Sequence, residues 1–170
     1  MSETETLSPA LPDDIETSAR RVLERACRTD RSLATAESCT GGLLASLLTD
    51  VEGCSSAFER GFVTYSYDAK CELLGLARET VERCHAVSRE VAIAMAQGAL
   101  SASHADIAVA VTGFAGRAAP EDEPGLVHFG CATRGGETMH REEHFGDIGR
   151  GATRIAAIRV ALTLFEEALS

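Results

Sequence analysis

The chain has 170 residues, and its 16 basic and 26 acidic side chains leave a formal net charge of −10. That balance argues against non-specific binding to DNA or RNA, which relies on clustered Lys and Arg. Apolar residues at 45% and charged residues at 25% describe an ordinary globular chain rather than a disordered one, and no apolar run approaches the roughly 18–20 residues of a membrane span.

The length suits one domain. Residues 1–10 read as a flexible tail and residues 11–170 as a single domain. The N-terminal stretch is acidic and has no basic n-region, so a secretory signal is not expected and the expected location is cytoplasmic. From Pro12 to about Arg28, Ile15, Ala19, Val22, Leu23 and Ala26 recur at helical spacing, with Asp13 and Asp14 at the favoured dipole end. Residues 32–36 predict a short strand. A glycine-bearing turn, Glu37-Ser38-Cys39-Thr40-Gly41-Gly42, leads from it into an apolar helix. Residues 61–66 predict a second strand and 68–74 a helix ended by Gly75, with another helix over 77–83. Ser88 is a natural N-cap for a helix to about residue 103. Residues 106–111 form a continuous apolar run that fits a buried strand. Residues 126–133 and 138–145 flank Arg134-Gly135-Gly136-Glu137 as a hairpin, its second arm polar enough for a sheet edge. A last helix covers 152–169. This order implies an α/β fold, a three-layer α/β/α sandwich with a mixed, mostly parallel sheet. With no Trp, two Tyr and six Phe, the core must come from Ala, Val, Leu and Ile.

The six cysteines form no C-x-x-C unit and no zinc spacing, and disulfides are not expected. His140 and His144 share a strand face, but no third ligand is evident; a solvated face is the expected reading, with no metal and no cofactor.

Three small-residue turns follow candidate strands, at residues 38–42, 66–70 and 112–116. In open α/β sheets ligands collect at the carboxyl ends of strands, so these turns are expected to converge. The first opens a helix whose free N–H groups favour an anion or oxyanion. Ser38 and Thr40 offer hydroxyls there, and Gly41 and Gly42 allow close approach. The structural alternative is that Thr40 caps the helix and the glycines only turn the chain. Cys39 is a second possible nucleophile at the same helix start.

The basic residues carry a sharper signal. Fifteen of the sixteen are Arg; Lys70 is the single Lys. Arg stays protonated, whereas burial lowers a Lys pKa and makes a neutral amine available as a general base. Tyr65 and Tyr67 lie in the same segment; strand alternation sends them to one face, one for the core and one for the site. His85, His104, His128, His140 and His144 all lie outside the three turns, so no Ser-His-Asp arrangement is favoured. Glu121, Asp122 and Glu123 read as a solvated loop.

Thr35-Ala36-Glu37-Ser38-Cys39-Thr40-Gly41-Gly42 and Phe58-Glu59-Arg60-Gly61-Phe62-Val63-Thr64-Tyr65-Ser66 with Ala69-Lys70 resemble the CinA C-terminal domain family. Ala86-Val87-Ser88, Thr112-Gly113-Phe114-Ala115-Gly116 and Phe145-Gly146-Asp147 continue the match in order, from about Ile15 to Leu169. The stand-alone form of this domain is the PncC-type nicotinamide mononucleotide amidohydrolase; larger members carry an additional N-terminal domain. The resemblance implies hydrolysis of the carboxamide of nicotinamide mononucleotide to nicotinate mononucleotide and ammonia, a step in pyridine-nucleotide salvage. It implies a Ser38–Lys70 pair with Tyr65 nearby; the mechanism expected on that pair uses N–H groups around Cys39 to Gly41 for the oxyanion and Thr112, Gly113 and Gly116 against the nucleotide. Arg150 or Arg154 would pair with its phosphate. Arg117-Ala118-Ala119-Pro120 departs from the family's Pro and Asp-Gly-Gly-like turn, and Ile148-Gly149 intervene before Arg150. Two other functions stand beside this one: an amidase for another small amide, and a non-catalytic nucleotide-binding module linked to competence or DNA damage. The expected partner is a small-molecule nucleotide, with no nucleic acid and no membrane. A homo-oligomer is expected, a dimer favoured.

Overall fold

Pro12, with φ of −60°, sets the chain for helix α1 (Asp13–Arg28), whose first turn holds Asp13, Asp14 and Glu16 and whose last holds Arg25 and Arg28. The five apolar residues expected on one face are the five that are buried. The structure is a computed structural model and describes residues 11–117 and 119–170; the tail expected at 1–10 lies outside the described residues.

Strand β1 (Leu33–Glu37) leads into the short helix α2 (Leu43–Thr49), and β2 (Phe58–Val63) follows. Helices α3 (Tyr67–Leu74), α4 (Arg78–Cys84) and α5 (Arg89–Ser101) come next, then β3 (Ile107–Gly113), β4 (Leu126–Thr133), β5 (Met139–His144) and α6 (Arg150–Ala168). Local chemistry fixes several ends. Ser66 Oγ accepts the Ala69 N–H at the start of α3, Ser88 Oγ accepts the Val91 N–H at the start of α5, and Gly75 closes α3 in the left-handed region.

The sheet runs β2-β1-β3-β4-β5. β1 lies parallel to both β2 and β3, while β3–β4 and β4–β5 are antiparallel. The sheet is mixed, as expected, but evenly divided rather than mostly parallel, because the chain after β3 turns straight back twice without a crossover helix. β2 begins three residues earlier than the sequence predicts, since Leu33 pairs with Phe58.

Alternation along the central strands divides the core. Leu33, Ile107, Val109, Val111, Phe129 and Cys131 pack against α1, α2 and α6. Ala34, Ala36, Ala108, Ala110 and Ala132 face the layer of α3, α4 and α5. One face is bulky and the other small, so α5 packs close against the sheet centre. Among the described residues, no helix is long and apolar enough to cross a membrane.

Candidate active site

Ser38 extends β1 by one residue, its N–H donating to the Val111 carbonyl at 2.9 Å. Its parity with Ala34 and Ala36 directs it to the α3–α5 side of the sheet. The chain then turns sharply: Gly41 N–H donates to the Ser38 carbonyl at 3.1 Å, and Gly41 and Gly42 have φ of 61° and 93°. These positive angles, which disfavour side chains, explain the glycine pair.

Glu37, absent from the sequence-based site, is buried beneath this turn. Its carboxylate accepts N–H bonds from Gly42 at 3.1 Å, Leu44 at 3.0 Å and Ala45 at 2.8 Å. The free N–H groups expected to attract an anion at the start of α2 are therefore occupied by the chain's own carboxylate. Gly41 N–H is also used. The N–H groups of Cys39 and Thr40 donate to no oxygen among the described residues. Thr40 caps nothing: its hydroxyl is buried and unpartnered. Its carbonyl accepts from Arg154 Nη2 at 2.7 Å. An acid placed directly after a buried strand and a few residues before a helix was the available signal for Glu37.

Lys70, in the first turn of α3, is fully buried. Its Nζ lies 3.1 Å from Ser38 Oγ, 2.7 Å from the Thr64 carbonyl oxygen and 3.5 Å from the Tyr65 carbonyl oxygen. No carboxylate is among these partners. Burial pushes the Lys70 ammonium down to about 8, with the Cys39 and Cys71 thiols acting weakly in the other direction. The ammonium form donates to all three oxygens; on losing a proton the amine can keep both carbonyl bonds and turn its lone pair to the Ser38 hydroxyl, the one partner with a proton to give. Cys39, by contrast, points into the core on the α1–α6 side, where burial pushes its thiol up to about 12.

The other expected site residues fall out differently. The Tyr65 side chain is 70% exposed, and only its carbonyl reaches Lys70. Tyr67 is also exposed, so neither tyrosine enters the core. The strand alternation expected for them does not operate, because β2 ends at Val63 and α3 starts at Tyr67. Thr112 Oγ1 donates to the Ala86 carbonyl at 2.6 Å and ties the residue 86 segment to β3. A β-carbon on Gly113 would stand 2.7 Å from the Leu126 carbonyl oxygen, so strand packing alone explains that glycine. Arg150 Nη2 would lie 3.5 Å from a β-carbon on Gly116, which sets its guanidinium beside the third turn. Glu121, Asp122 and Glu123, expected in a solvated loop, line a cleft of about 470 Å³ with Tyr67, His85 and Phe114. His128 and Glu142 join His140 in a cluster, although the sequence offered only His140 and His144.

The family model of the CinA C-terminal domain matches residues 15–169. A relative from Escherichia coli (strain K12) named nicotinamide-nucleotide amidohydrolase PncC is 47% identical over 142 residues, which cover 81% of this chain and 85% of the relative. A CinA-like protein from Akkermansia muciniphila is 53% identical over 111 residues, 64% of this chain and 27% of that larger protein. Among solved structures, the competence/damage inducible protein CihA from Agrobacterium tumefaciens superposes with a TM-score of 0.89 at 46% identity, covering 94% of this chain and 97% of that one. With nearly its whole described length accounted for by one model and by these relatives, the chain belongs to the CinA C-terminal domain family.

Proposed function

We propose that this chain is an amidohydrolase that converts nicotinamide mononucleotide to nicotinate mononucleotide and ammonia through an acyl-enzyme on Ser38, within cytoplasmic pyridine-nucleotide salvage. The observation that carries the reading is the buried Lys70 amine 3.1 Å from Ser38 Oγ, with two backbone carbonyls taking its N–H groups. The name of the E. coli relative supports the substrate class.

Neutral Lys70 removes the Ser38 hydroxyl proton, and Oγ attacks the carboxamide carbon. The oxyanion is received by the N–H groups of Cys39 and Thr40, which donate to no oxygen among the described residues and are held in place by Glu37 beneath the turn and Arg154 on the Thr40 carbonyl. The Lys70 ammonium returns its proton to the leaving nitrogen, and ammonia departs. A water then gives its proton to Lys70 and attacks the ester; on collapse Lys70 passes that proton to the departing Ser38 Oγ, nicotinate mononucleotide is released, and both side chains are restored. Of the two candidate arginines, Arg154 is engaged with the turn, so the substrate phosphate is assigned to Arg150 beside Gly116. The Cys39 thiol, held protonated by burial, is not the nucleophile.

The test is ammonia release and nicotinate mononucleotide formation from nicotinamide mononucleotide, with free nicotinamide as the control amide. Turnover of the nucleotide alone is expected. Ser38→Ala abolishes it, Cys39→Ser keeps it within a few-fold, and Lys70→Arg loses roughly 10²–10⁴-fold, the usual contribution of a positioned base. Activity that survives in Ser38→Ala but dies in Cys39→Ser transfers the reaction to the thiol. Full turnover by Lys70→Arg removes the base. Tight binding with no ammonia released leaves a nucleotide-binding module.

A further inference from the structure

We propose a second site, on the β4–β5 hairpin, where His128, His140 and Glu142 bind a divalent transition cation of the zinc class. Antiparallel pairing assembles it. His128 faces Glu142 across the ladder, and His140, opposite Gly130, is two residues from Glu142 and so shares its face. His128 also pairs with Thr112, whose hydroxyl reaches Ala86, which puts the cluster on the α5 side of the sheet.

His128 Nδ1 lies 3.0 Å from His140 Nε2 and 3.5 Å from Glu142 Oε2, and all three ligand atoms fall within 4.8 Å of one another. A tetrahedral Zn²⁺ at about 2.0–2.1 Å from two nitrogens separates them by about 3.3 Å. The pair needs to open by only a few tenths of an ångström. The proton shared between the two nitrogens moves to the far nitrogen of its own ring, and both lone pairs then face the ion.

The carboxylate is held from behind. His144 Nε2 donates to Glu142 Oε1 at 2.8 Å, and its Nδ1 meets Glu123 Oε1 at 2.6 Å. Such a carboxylate–imidazole relay is how metal ligands are oriented. Glu142, together with Glu90 at the start of α5, favours a cation beside both imidazoles, while His144 acts against one at His128 and Arg89 at His140. His128 is buried, but the Glu142 side chain is 43% exposed, so the remaining coordination position opens to water. The ion would tie β5, paired on one side only, to β4.

The experiment titrates the full chain with Zn²⁺ and with Co²⁺ under a non-chelating reductant. One equivalent of Zn²⁺ is expected, with a melting temperature that climbs with the logarithm of free Zn²⁺. Co²⁺ should give d–d bands without the thiolate charge transfer that any of the six free cysteines would produce. His140→Ala and Glu142→Gln lose the equivalent, and His144→Ala weakens it about 10–100-fold. The Co²⁺ spectrum of the unaltered chain reads the donor set even if a variant fails to fold. No uptake, uptake unchanged in His140→Ala, or a thiolate charge-transfer band each overturns the proposal.

Discussion

If neutral Lys70 is the base, the pH profile of kcat/KM should carry its signature. Burial takes this ammonium from 10.5 to about 8, and no carboxylate partner restores it. At pH 7 about one chain in ten then holds the free amine, against about three in ten thousand for an ordinary lysine. The substrate phosphate titrates near pH 6, so the informative window starts at about pH 6.5. From there to pH 9.5 the neutral fraction, and with it kcat/KM, climbs about thirtyfold, bending near pH 8 and flat above about pH 9. Initial rates at low nicotinamide mononucleotide, read as nicotinate mononucleotide by chromatography, avoid coupling enzymes with their own pH dependence. Lys70→Arg should leave a low rate that does not rise across the window. A wild-type profile that is level from pH 6.5 to 9.5, or one whose midpoint lies near 10.5, means that the buried amine does not take the proton.

The same burial sets a stability prediction. Lys70 has a lower pKa folded than unfolded, so between about 8 and 10.5 the unfolded chain binds more protons and stability rises with pH. Below pH 8 the whole penalty is present, about 3 kcal/mol. Lys70→Met removes the titrating group and leaves the Thr64 and Tyr65 carbonyls without its N–H groups, at about 1–3 kcal/mol for each one that stays buried. Urea unfolding should therefore show the wild type gaining stability over Lys70→Met as pH rises from about 8 to 10.5; a difference between the two that does not change with pH means that Lys70 does not carry the shift. Glu37→Gln sets an amide N–H₂ against one of three backbone N–H groups and loses a charge-assisted bond. It should cost about 2–3 kcal/mol and lower kcat more than it raises KM, because the turn that holds the oxyanion shifts. Unchanged melting and turnover would show that the carboxylate does not hold the turn.

The sequence made the elements legible wherever a local rule controls them. The stripe from Ile15 to Ala26 is a helix face, and Ser66, Gly75 and Ser88 mark real helix ends. β2 was misplaced by three residues because its limits depend on pairing with Leu33, a long-range contact that no local pattern encodes. Lys70 stood out by rarity and chemistry, and geometry brings it to Ser38. Tyr65 illustrates the opposite: proximity in sequence brings its backbone to the amine while its side chain stands in solvent. The His128–His140–Glu142 cluster needed the hairpin register, because the sequence places His128 twelve residues from His140 and gives no sign that they meet.

Glu37 and Ser38 explain why so short a segment holds so much of the site. Adjacent residues of a strand face opposite layers. Glu37 therefore points under the turn and satisfies three N–H groups of α2, and the next residue points over it toward α3 and Lys70. Shifting this segment by one position would bury the hydroxyl and aim the carboxylate at the amine. A carboxylate beside the amine would oppose the effect of burial and raise the Lys70 pKa back above about 8, shrinking the free-amine fraction at neutral pH. The lowered Lys70 pKa thus depends on strand register as well as on burial: alternation keeps the Glu37 carboxylate beneath the turn, bonded to α2, and away from the amine.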